Sequence, residues 1–154
     1  MNKYENLVEY ATECGAFVLE LNLGTSKPCG FCNGNVLIIN KNIKTSEKLA
    51  VLSEELGHYK TTVGDITNQT KVSNRKQELQ ARAWGYNKSI GLIGLINAFN
   101  YGCRNKSEIA EYLDVTEEYL DEAITYYTNK YGIIHKIDNY TIQFLPNLQI
   151  HKAL

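Results

Sequence analysis

No stretch of this chain approaches the ~20 consecutive apolar residues that a membrane-spanning helix needs. The most apolar run, Ile90 to Phe99, is too short, so no membrane partner is expected. The opening residues, Met1-Asn2-Lys3-Tyr4-Glu5-Asn6, include an acid and lack the apolar centre of a secretory signal. The predicted location is therefore cytoplasmic. Charge of one sign is also missing. Sixteen basic residues face seventeen acidic ones, for a formal net charge of −1, which gives no global attraction to nucleic acid or anionic lipid. There is no second cysteine pair to match Cys29-Gly30-Phe31-Cys32, and Cys14 and Cys103 stand alone. One C-x-x-C is half of a four-cysteine zinc site, so Pro28 to Gly34 reads as a hairpin tip carrying two reduced thiols. Internal repeats, low-complexity tracts and a proline-rich linker are absent too. What remains is an ordinary globular composition, 44% hydrophobic and 21% charged over 154 residues, enough for a core of its own.

One short segment carries chemistry. Glu54-Glu55-Leu56-Gly57-His58 reads as the His-Glu-x-x-His helix of zinc peptidases with a carboxylate in place of the first histidine. Residues four apart on a helix project from one face, so Glu54 and His58 are candidate metal ligands. Glu55, beside that face, is the candidate general base. A tetrahedral catalytic site needs a third protein ligand. Glu78, near the start of the next long helix, is the best candidate, and Asp65 is a possible further oxygen donor.

Around this motif the periodicities alternate between strand and helix, predicting an α+β fold. Leu7, Val8, Ala11 and Cys14 have helical spacing over residues 3–14, with Gly15 as the stop. Residues 17–23 and 36–40 read as strands, together suggesting a small antiparallel sheet. Thr45 is the expected N-cap of the motif helix, which runs to Tyr59 or Lys60. A polar loop, 61–73, follows. Asn74 and Gln77 resemble a capping box that opens a long helix toward Phe99, with Gly85, Gly91 and Gly94 as points where it can break.

Beyond residue 100 the pattern becomes a helix-turn-helix-like pair hinged at Asp114-Val115-Thr116, ended by Gly132. A hairpin over 133–137 and 140–144 turns at Asp138-Asn139. The predicted division is 1–100 for the core and 101–154 for this C-terminal, winged-helix-like segment, packed together as one unit. Residues 107–122 contain seven acids and no lysine or arginine. That surface repels phosphates, so direct nucleic-acid binding is not expected.

Several of these pieces together resemble the ImmA/IrrE family of metallopeptidase-like proteins of phages and mobile elements. They are the strand Val36-Leu37-Ile38-Ile39-Asn40, the helix Leu52 to Tyr59, and Glu78-Leu79-Gln80-Ala81-Arg82-Ala83-Trp84-Gly85. The acidic segment Ile109 to Tyr127 is similar to C-terminal regions of phage-borne members. The resemblance implies a zincin-like core of antiparallel sheet against the motif helices, Glu55 as base, and His58 and Glu78 as zinc ligands. It also implies a helix-turn-helix repressor, or another phage or host regulator, as the partner that is cleaved or relieved. Glu54 departs from the family's histidine. A Glu-His-Glu set is harder and more anionic, which weakens zinc and favours manganese or iron. An empty site in a relative that acts by binding alone is the alternative.

Overall fold

The computed structural model describes residues 1–25, 29–61 and 71–154. The chain is a mixed α+β protein that divides after Ser89 into two compact units, Met1–Ser89 and Ile90–Leu154. The division expected from sequence, after residue 100, left α4 (Gly91–Tyr101) with the first unit. In the structure α4 packs on α5 (Lys106–Leu113) of the second.

In the first unit, Asn2 caps α1 (Lys3–Glu13) in a reciprocal capping box with Glu5, and Gly15 ends it at a φ of 93°. Three strands follow: β1 (Phe17–Leu21), β2 (Gly30–Asn33) and β3 (Val36–Asn40). The sheet order is β1-β3-β2. β2 runs antiparallel to β3, whereas β1 runs parallel to it, with Phe17 opposite Val36. The sheet is therefore mixed, not antiparallel as expected. Gly30 to Asn33, expected within a hairpin tip, forms a strand, and the turn lies at Gly34-Asn35. Once β2 and β3 pair as a hairpin, β1 is left the other edge of β3 in parallel. Residues 26–28, including Pro28, lie outside the described residues.

Leu37 and Ile39 of β3 are fully buried on the face that meets α2 (Thr45–Thr61). Their partners Cys32 and Gly30 share that face, because paired residues point the same way. At Gly30 an added Cβ would stand 2.5 Å from Val51 of α2, so only glycine lets β2 lie this close to the helix. Asn40, buried at the strand's end, donates to the Gly24 carbonyl and accepts from the Leu23 and Asn42 amides.

Leu49, Leu52 and Leu56 bury one side of α2. α3 (Lys71–Ser89) then packs along α2. It begins before Asn74, so the expected capping box at Asn74 and Gln77 falls inside the helix instead of opening it. Lys3 reaches across to donate to the Ser89 carbonyl at the C-terminus of α3. Of the expected polar loop, residues 62–70, and Asp65 with them, lie outside the described residues.

The second unit begins where Gly91, at a φ of 66°, separates α4 from α3. Asn105 caps α5, and Asp114 closes it in the left-handed conformation, φ 58° and ψ 38°. Thr116 caps α6 (Glu117–Tyr131) through the Tyr119 amide. A three-stranded antiparallel sheet follows, β4 (Ile134–Ile137), β5 (Tyr140–Gln143) and β6 (Gln149–Lys152). The last strand was not anticipated, because four residues with a single buried apolar side chain, Ile150, carry almost no periodic signal. Tyr127 fills the middle of this unit, its ring near Phe144 and its hydroxyl accepting from the Gly91 amide.

Candidate metal centre

The site is set by how closely α2 and α3 approach. A Cβ placed on Gly57 would lie 2.1 Å from the carbonyl oxygen of Ala81, and Ala81 itself is fully buried. The two helices thus touch backbone to backbone at this crossing. Such contact leaves the residues that flank it on each helix, three before and one after, facing one another. On α2 these are Glu54 and His58, and on α3 they are Glu78 and Arg82, each pair four apart.

The donor atoms of Glu54, His58 and Glu78 all lie within 4.8 Å of one another. His58 Nε2 stands 3.5 Å from Glu78 Oε2 and 4.0 Å from Glu54 Oε1. Bond lengths of about 2.0–2.2 Å in tetrahedral geometry separate ligand atoms by roughly 3.3–3.5 Å. One His–Glu pair is already at that spacing, and the other distances close with small side-chain rotations. One imidazole nitrogen and two carboxylates are also a chemically suitable set for a divalent ion. The residues present therefore fit a metal. All three sequence-expected ligands are brought together, although nothing in their spacing along the chain required α3 to deliver Glu78 to this crossing.

Glu55 sits beside the three and is half-buried. Burial chiefly, with the charges of Glu54 and Glu78 adding to it, pushes its carboxyl up from 4.5 to about 7. Its own charge acts in turn on Cys32. That thiol is pushed up first by burial and then by Glu55. In metal-free protein the folded state holds the Glu55 proton more tightly than the unfolded chain does. Stability is therefore fully present at acid pH and declines as pH rises from about 4.5 through about 7. Glu55→Gln is expected to flatten this decline, measured by denaturant unfolding in chelator from about pH 5 to pH 8. An unchanged decline would show that another group causes it.

Two features of the site were missed in the sequence. Arg82 Nε lies 3.5 Å from Glu54 Oε1, and only its spacing of four from Glu78 hinted at a shared face. Cys32 lies in β2 on the face it shares with Leu37, whereas Cys29 stands one residue before that strand begins. The C-x-x-C therefore straddles the start of β2 and carries two free thiols.

A family model described as the IrrE N-terminal-like domain, Peptidase_M78, matches residues 11–125, about three quarters of the chain and all of the residues above. No curated protein and no solved structure gives a match.

Proposed function

This chain belongs to the IrrE N-terminal-like, M78 peptidase family, and from that premise we propose that it is a metal-dependent endopeptidase with Glu55 as its general base. The family is metal-dependent, and the observation that carries the reading is the meeting of Glu54, His58 and Glu78 at the α2–α3 crossing. A divalent ion held by these three would supply a water of lowered pKa and a Lewis acid for the scissile carbonyl. Zinc is the first candidate, and manganese or iron suits the two carboxylates.

The remaining chemistry belongs to the chain. The carboxylate of Glu55 takes the proton of the attacking water and passes it to the leaving amine. Its half-buried position beside β2 keeps bulk water from competing for that proton. β2 is an edge strand of its sheet, and the charge of Glu55 acts on Cys32 within it. An extended peptide laid along that edge has backbone groups to pair with.

We take the first unit as the zincin-like core, and α5, α6 and the β4–β5 hairpin as a winged-helix-like module. Glu108, Glu111, Glu117, Glu118, Asp121 and Glu122 are exposed on that module. A basic partner complements them, and a cytoplasmic helix-turn-helix repressor of a phage or mobile element is the proposed substrate. The test is to incubate the protein with such a repressor, with and without chelator. Cleavage that stops in chelator and returns with added metal supports the proposal. Binding without cleavage, unaffected by chelator, selects a silent relative that acts by occupancy alone.

A further inference from the structure

The oxygen of Glu54 that faces His58 is the same oxygen that faces the guanidinium of Arg82. We propose that Arg82 is a charge lock on the metal centre, holding Glu54 in the metal-free protein and setting the concentration at which a divalent ion loads. This rests on the metal reading above and adds a residue to it that no part of that reading uses.

Glu54, Glu55 and Glu78 crowd three carboxyl groups around one imidazole. Arg82 comes from the same helix as Glu78, one turn on, and its Nε is 3.5 Å from Glu54 Oε1. Without an ion, the guanidinium offsets the carboxylates' mutual repulsion. With an ion, the two cations share one carboxylate and repel each other. Both side chains are part-exposed, 54% for Arg82 and 38% for Glu54, so solvent screens the pair and its own contribution to stability is small. Repulsion of a dication by the guanidinium across a part-exposed site still changes affinity by about tenfold. Arg82 therefore acts as a positioning residue on the ligand Glu54, and it makes loading responsive to metal supply.

The experiment is a zinc titration of the full-length protein against a chromophoric chelator. Parent, Arg82→Gln, Arg82→Lys and Glu54→His are compared, together with Glu54→His/Arg82→Gln. Melting curves confirm that each folds. Arg82→Gln is expected to bind zinc about tenfold more tightly than the parent, and Arg82→Lys, which keeps the charge, to stay within about threefold. With Glu54→His the shared carboxylate is gone, and with it the ion pair that holds the guanidinium close to the metal position. Arg82→Gln should then change affinity by less than about threefold.

Zinc bound by Arg82→Gln but not by the parent is the strongest form of the expected result. A weaker site in Arg82→Gln would overturn the lock, because it would make Arg82 an orienting partner of the ligand. Unchanged affinity overturns the lock while leaving the metal centre standing. Absence of binding in both parent and Arg82→Gln overturns the metal reading and this inference with it.

Discussion

Gly57→Ala is expected to lower the melting temperature by about 10 °C or more and to abolish metal binding in the same variant. Alanine ordinarily favours a helix over glycine by about 1 kcal/mol, so a helix taken alone would gain. Here the new methyl would sit 2.1 Å from the Ala81 carbonyl oxygen. The obstacle is backbone, which cannot swing aside as a flexible side chain would. α2 and α3 must move apart, and the cost of forcing volume into such a contact is about 1–3 kcal/mol or more. In a unit of 89 residues each kcal/mol moves the midpoint by roughly 4–8 °C. The separation also carries His58 away from Glu78, whose atoms are 3.5 Å apart. A melting curve and a zinc titration measure both effects. Parental stability with parental metal binding would mean that the helices do not cross as described.

Glu55→Gln is expected to lower proteolysis about 10²–10⁴-fold while leaving bound metal at the parental level. That range is what a positioned general acid–base ordinarily contributes. Glutamine keeps the shape and half-buried position of the side chain but can neither accept the water's proton nor deliver it to the amine. It is not among the three donors that meet at the crossing, so the metal should stay. The readouts are the rate of partner cleavage and the metal content of the same preparation. Cleavage at the parental rate would remove Glu55 from the chemistry. Loss of metal would make it a ligand.

The helices of the motif and of the C-terminal half were legible because each has a long apolar period and polar stops, as with Leu49, Leu52 and Leu56, or the Asp114-Val115-Thr116 turn. The three candidate donors were named from residue type and spacing, helped by resemblance to a family, and the fold brings their atoms within 4.8 Å of one another. Sheet topology was not. The direction of β1 against β3 depends on whether the glycine-rich segment between them becomes a strand. Gly30 does so for a reason that lies on another element, the close presence of Val51. Arg82 was illegible for the same kind of reason. Its meaning depends on Glu54, a residue on a different helix, and on a crossing made possible by a glycine that looks unremarkable in one dimension. Short-range pattern therefore gave the elements, while the contacts between them required the fold.

The central claim is that Glu54, His58 and Glu78 form one metal centre, and the most direct test is elemental analysis of protein purified without chelator or a histidine tag. Parent protein is compared with His58→Ala, Glu78→Ala and a Cys29→Ser/Cys32→Ser control, each also reloaded with zinc or manganese. About one metal per chain is expected in the parent and the cysteine control, with loss in both ligand variants. Metal lost only in the cysteine control, or no metal in the parent even after loading, would contradict the claim.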